Sequence, residues 1–251
     1  MDIRSPEGLL IVGAIFLLGG FSKGVVGLGM PTIAVGLGTA VYGLETALAL
    51  AAVPVIATNI WQGLAGGYFR ELMKRLWLLL LTTAALAWVG TGILAKSDGT
   101  AIAGVLGVIL VAYAVLGLTT PRISHPGRHE IWMTPVVGIL TGFITGLTGS
   151  SVVPGVMYLQ ALDLGRDRLV QSMGILFTVS WSALSLALAD NRLMSGETVG
   201  VSAAALVPAV AGMLIGQRIR AKVPERQFRT VFLSAILILG VYIAARAAVA
   251  L

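Results

Sequence analysis

One phrase is written twice in this chain. Residues 20–27 read GFSKGVVG and residues 142–149 read GFITGLTG, so Gly-Phe-x-x-Gly-x-x-Gly recurs 122 positions later. Each copy lies in a long apolar run. Glycine at that density thins or breaks a helix, and a lipid-exposed break is forbidden because its freed amides would find no water. Such a break must face protein or a water-filled cavity. A duplicated helix break near membrane mid-depth is the sequence mark of a transporter's binding site.

Composition supplies the membrane. Of the 251 residues 57% are hydrophobic and only 11% charged, whereas a soluble domain is about a quarter charged. Period-two alternation is missing, and the wealth of Ala, Leu, Val and Gly selects helices over an outer-membrane barrel. With no cysteine, disulfides, thiolate chemistry and thiolate metal sites are excluded. The net charge of +6 sits in loops, where it orients the chain against anionic lipid rather than forming a nucleic-acid surface. Residues 1–22 are weakly signal-like, but no small-residue cleavage site closes them cleanly, so they read as the first membrane segment.

Apolar blocks run at 8–39, 46–66, 76–95, 101–118, 133–159, 168–188, 198–216 and 227–248. A span needs about 20 residues, so six of these are single helices. The first and fifth are over-long, and each holds the glycine phrase. They are expected to be broken helices or re-entrant hairpins, turning at 27–31 and 149–154. The polar stretch 119–132, rich in Pro, Gly and basic residues, divides the chain into an N-terminal membrane repeat (1–118) and a C-terminal one (133–251). At the same spacing Glu45 falls on Asp167, Thr58 on Ser180, Gly90 on Gly212 and Lys96 on Arg218.

Basic clusters stand at Arg70/Lys74/Arg75, at Arg122/Arg128, and at Arg218/Arg220/Lys222/Arg226/Arg229. Positive loops stay cytoplasmic. All three can lie inside only if the fifth block enters and leaves by one face. The same logic makes the first block a hairpin and puts both termini outside. Each half then makes an odd number of passes, which gives an inverted repeat.

Lys23 is the sharpest single residue. A cation within an apolar block is costly unless it snorkels, pairs or faces water; facing water, its ammonium would attract an anion. The second copy has Thr145 there. The phrase glycines also have a plain reading, because small residues at four-residue spacing pack membrane helices closely. After each phrase a fresh helical run is expected, whose N-terminus would offer unpaired amides and a positive dipole end to an anion. The substrate-binding candidates are Ser22, Lys23, Gly24, Gly27 and Gly29 from the first copy. From the second come Thr145, Gly146, Thr148, Gly149, Ser150 and Ser151, with Thr32 a weaker candidate. Asn59, Gln62 and Ser180 in the following helices form a second tier. Trp61 and Trp181 read as interface anchors, Gln171 and Ser172 as caps of the sixth block, Asp163 and Asp167 as loop residues, and Pro54 and Pro208 as helix kinks.

Enzyme readings fail by absence. Ser150 and Ser151 would need a base within reach, and the two histidines, His125 and His129, sit in the polar linker. Neither HExxH nor a phosphate-binding GxxxxGK[ST] loop is present. No cofactor and no metal is expected.

These residues resemble the TauE/SafE sulfite exporter family of membrane permeases. The resemblance rests on Gly20-Phe21-Ser22-Lys23-Gly24-Val25-Val26-Gly27-Leu28-Gly29 with Pro31, and on 142–149 with Pro154. Its wider pattern of about eight segments, two glycine-marked halves and a basic linker covers essentially the whole chain. It implies transport of small sulfur-containing anions, such as sulfite and organosulfonates, across the inner membrane. The chain departs from the commonest form where the first glycine run thins to Gly27-Leu28-Gly29-Met30-Pro31, and where Ser150-Ser151 replace further glycines.

The resulting expectation is an all-α polytopic membrane protein of about eight hydrophobic segments, in two four-segment halves forming an inverted repeat with broken or re-entrant first and fifth segments. It would be a multi-pass permease of the bacterial inner membrane, working by alternating access on a small anion, without being an enzyme. The lipid bilayer is its other partner; a homodimer is left open and nucleic acid is not expected. A passive anion channel, or a permease for another small metabolite, is the alternative.

Overall fold

The computed structural model describes residues 2–119, 124–220 and 225–250. Arg122 and Lys222 of the basic clusters lie outside that range, as does the side chain of Arg226. Among the described residues there is no strand. Eight helices among those residues are long and apolar enough to cross a membrane, one for each apolar block: α1 (Pro6–Val26), α3 (Leu44–Leu64), α4 (Phe69–Leu94), α5 (Gly99–Thr119), α6 (Glu130–Thr148), α8 (Arg166–Asp190), α9 (Gly196–Ile219) and α10 (Glu225–Ala250). Two short helices, α2 (Met30–Tyr42) and α7 (Met157–Ala161), complete the first and fifth blocks.

The chain forms two compact units. Unit 1 comprises Met1–Pro54, Ser97–Thr119 and Arg192–Leu251; unit 2 comprises Val55–Lys96 and Thr120–Asn191. Each draws helices from both sides of the 119–132 linker.

In unit 1, α1 and α9 run parallel in backbone contact. A Cβ on Gly20 would overlap the Ala209 carbonyl and one on Gly24 the Met213 carbonyl; Gly212 and Gly216 stand in the same relation to Leu17 and Phe21. Lipid tails are as apolar as leucine, so such close packing is what holds membrane helices together. In the same unit α5 and α10 run antiparallel: Gly104 faces Ala247, Gly107 faces Ala244, and Gly117 faces Leu233.

Unit 2 repeats the device with α4 and α6, again parallel. Gly142 abuts the Thr83 carbonyl, Gly146 the Ala87 carbonyl, and Gly90 the Phe143 carbonyl. Two threonines on α4 bridge the seam: Thr83 Oγ1 donates to Gly138 O at 3.2 Å and Thr91 Oγ1 to Gly146 O at 3.2 Å.

Both over-long blocks fold as hairpins. α2 returns along α1, with Met30 beside Gly19 and the Tyr42 hydroxyl donating to Gly8 O at 2.9 Å. After α6 the irregular turn Val152–Val156 brings Gly155 beside Thr141, and Tyr158 O–H lies 2.6 Å from Thr134 Oγ1.

Several sequence-based expectations change. The breaks do not fall halfway along a span. α1 has 21 residues and α6 has 19, or about 28–31 Å at the usual rise, which is about a full bilayer core. Each break ends such a helix. Nor does a regular helix follow the second phrase: Val153 is extended (φ −110°, ψ 122°), because Pro154 disfavours the α conformation in the residue before it. Pro31, by contrast, sits in the first turn of α2, where its missing N–H costs nothing.

Gln171 is no cap of α8. It is buried inside that helix, donating Nε2–H to Gly63 O at 2.9 Å and accepting from Tyr68 N at 3.0 Å, so it ties the end of α3 to the start of α4. Ser172 bonds Leu169 O. Asp167 lies in the first turn of α8 rather than in a loop. Trp61 is 70% exposed, as an interface anchor should be, but Trp181 is fully buried.

Pro54 lies inside α3 and cannot donate to the Leu50 carbonyl. Ser202 of α9 fills the gap: its Oγ donates to Leu50 O at 2.7 Å and accepts from Val53 N at 3.1 Å.

Two measurements check this packing. Gly142→Ala or Gly20→Ala should destabilise the protein by about 1–3 kcal/mol through overpacking, whereas Gly13→Ala, with nothing near its added carbon, should leave the melting temperature in detergent unchanged. Ser202→Ala strands the Leu50 carbonyl and should cost about 1–3 kcal/mol in the same assay.

Candidate functional site

Each phrase ends in the same cap. Gly27 (φ 81°) donates its N–H to Lys23 O at 2.8 Å, and Gly149 (φ 70°) donates to Thr145 O at 2.7 Å. Both residues are left-handed, the conformation in which a glycine closes a helix without Cβ strain. The phrase thus divides its labour: the first two glycines pack a neighbouring helix and the third turns the chain.

The second turn gathers hydroxyls in unit 2. Thr145 Oγ1 lies 2.7 Å from Ser151 Oγ, which lies 3.1 Å from Ser180 Oγ on α8. Thr145 also donates to Thr141 O at 2.6 Å, and Thr148 to Ile144 O at 2.8 Å. The backbone N–H of Ser150 points at Thr148 Oγ1, 3.3 Å away. All five residues, Thr145, Thr148, Ser150, Ser151 and Ser180, are buried. Each hydroxyl has one proton and two lone pairs and can rotate between partners, so the group can present O–H donors to an oxyanion without any fixed charge.

The first turn, in unit 1, is different. Ser22 Oγ donates weakly to Leu28 O at 3.5 Å, and Lys23 is buried one turn before the break. Gly29 (φ 104°) caps the start of α2 and lies against Ser22 Oγ and the Phe232 ring. Thr32 is buried in the first turn of α2.

The remaining candidates scatter. Gly24 and Gly146 face neighbouring helices. Asn59 is buried and donates to Val55 O at 2.8 Å. Gln62 donates to Val170 O at 2.8 Å, pairing α3 with the start of α8 beside Gln171. Unit 2 therefore brings together Thr145, Thr148, Ser150, Ser151 and Ser180, and leaves Gln62 at the far end of α8.

One member went unnoticed in the sequence. Thr141 lies one turn before Thr145 on the same face of α6, fully buried, and its Oγ1 has no hydrogen-bond partner among the described residues. The four-residue spacing from Thr145 was the available signal. The indole N–H of Trp181, next to Ser180 in sequence, is likewise buried without a partner. Among the described residues no three His, Cys, Asp or Glu side chains stand together as a metal site would need.

Eight spans, two glycine-capped hairpins and a buried hydroxyl cluster define a polytopic helical membrane protein built around interrupted segments. The family model described as Sulfite exporter TauE/SafE matches residues 11–243, and the chain belongs to that family. It is accordingly a multi-pass membrane transport protein. Searches of curated proteins and of solved structures returned no match.

Gly149→Ala should cost about 1–2 kcal/mol for forcing a left-handed alanine, and Gly149→Asn should cost less. Thermal unfolding in detergent should rank wild type, Asn and Ala in that order; equal midpoints would remove the cap from the account of the turn.

Proposed function

We propose that the chain is a permease for a small sulfur-containing anion, sulfite or an organosulfonate, in the bacterial inner membrane. The observation that carries this reading is the buried row of hydroxyls Thr145, Ser151 and Ser180 at the second glycine turn, with separations of 2.7 and 3.1 Å. Donors that carry no charge can bind a desolvated oxyanion and still release it. Thr148 and Ser150 extend the row. Lys23 and Ser22 are buried at the first turn, in unit 1, where the lysine in its protonated form would attract an anion. Family membership supports an anionic cargo.

The mechanism we infer is alternating access by oppositely oriented repeats, 1–118 and 133–251, joined by the linker 119–132. Three features support the repeat. The caps at Gly27 and Gly149 match in dihedral angle and bond. The spacing of 122 carries the ends of α1 and the starts of α3 onto those of α6 and α8. Within unit 1 the corresponding last helices of the two halves, α5 and α10, run antiparallel, as inversion requires.

Counterflow in proteoliposomes loaded with sulfite or a sulfonate tests the function. Saturable uptake stimulated by internal substrate is expected, and a flux that internal substrate does not stimulate would favour a passive channel. Removing a charge-assisted contact with Lys23→Ala should lower transport by about tenfold or more. Equal anion transport by wild type and variant would sink the role given to Lys23.

A further inference from the structure

Unit 1 holds a cavity of about 430 Å³ that none of the residues above explains. It lies where the end of α2, the start of α3, the start of α5 and the last turns of α10 meet, and its polar lining includes Glu45, Asp98, Thr100, Tyr242 and Arg246. A volume of this order suits a small ligand.

Its charges are of both signs and do not cancel one another. Glu45 is the second residue of α3; a side-chain carbon on Gly99 would lie 3.6 Å from its Oε1, so the carboxylate reaches the first turn of α5. Among the described residues it makes no hydrogen bond and no ion pair. Asp98 spends one oxygen on the Thr100 amide at 2.8 Å and keeps the other. Arg246 approaches from α10, with Nη1 donating to Ala40 O at 2.6 Å. That bond fixes the guanidinium over the end of α2 while Nε and Nη2 stay unpaired among the described residues.

Two carboxylates against one guanidinium repel a simple anion and leave Arg246 unmatched by a simple cation. We propose that this cavity binds a small zwitterion, its primary ammonium held by Glu45 and Asp98 and its singly charged acid group by Arg246. Two sources offer that chemistry. Tyr242 and Arg246 are exposed along the final turns of α10, where tyrosine and arginine mark the headgroup level of a bilayer, so the headgroup of phosphatidylethanolamine is one. A soluble zwitterion of the same form is the other. The site is separate from the hydroxyl row, and its test does not depend on what the permease carries.

The full chain in phosphatidylcholine nanodiscs would be titrated calorimetrically with glycerophosphoethanolamine and with glycerophosphocholine, whose methylated nitrogen has no N–H to donate. In parallel, native mass spectrometry would score the lipid retained from an equimolar mixture of phosphatidylethanolamine and phosphatidylcholine. A preference of about tenfold or more for the ethanolamine form is expected in at least one arm. Binding of the soluble headgroup assigns a soluble zwitterion, and retention of the lipid alone assigns the headgroup. Glu45→Gln and Arg246→Gln should each reduce that preference by about tenfold. No preference in either arm overturns the proposal, as does a preference that survives both substitutions. A control on the wild type needs no variant to fold: methylammonium and dimethyl phosphate each carry half of the zwitterion, and equal binding of either half would also overturn it.

Discussion

Backbone-to-backbone contact at glycine is the constraint on which the rest of the structure depends. Inside a bilayer no hydrophobic force draws helices together, so association rests on how closely the main chains approach. Gly20 and Gly24 bring α1 onto α9, and Gly142 and Gly146 bring α6 onto α4. Once those pairs are seated, the third glycine of each phrase fixes where the chain turns, and the short return helices follow. The row of hydroxyls then has a rigid seam to hang from, because Thr145 lies between Gly142 and Gly146, the two glycines that pack α6 onto α4.

The two copies show how one pattern is adapted. The cap is the same in both, but Pro31 enters the first turn of a regular helix whereas Pro154 forces Val153 out of helical geometry. One copy therefore continues as a 13-residue helix, and the other as an irregular turn followed by a short α7. That distortion lets Ser151 and Gly155 press against α6 at Thr145 and Thr141. The second copy sets its proline one position later after the cap and has Ser150-Ser151 where the first has Leu28-Gly29, and together these changes separate a plain return helix from a row of hydroxyls.

Much of this was legible in the sequence, because apolar length and glycine spacing are local signals. The eight spans, the two turns and the membership of Thr145, Ser150 and Ser151 in one cluster all follow from residues close together in the chain. Where each break falls along its block was not legible, since apolar blocks do not say where α1 stops within its run. Gln171 was misread because its partners, Gly63 and Tyr68, are distant in sequence and only the fold brings them near. Trp181 was misread for the opposite reason: tryptophan favours interfaces on average, and only packing shows that this one is enclosed. Thr141 was overlooked although its spacing from Thr145 was in plain view. The zwitterion cavity has no sequence signature, being assembled from four separate helices.

The serine that spans from α9 to the proline of α3 carries a genetic implication. Pro54 leaves the Leu50 carbonyl without its usual donor, and Ser202 restores one from far along the chain. An α3 without the proline would satisfy itself and set position 202 free, while an α3 that keeps it holds position 202 to a short hydroxyl donor. The two sites should therefore vary together among descendants of this chain, in an order that begins with the proline.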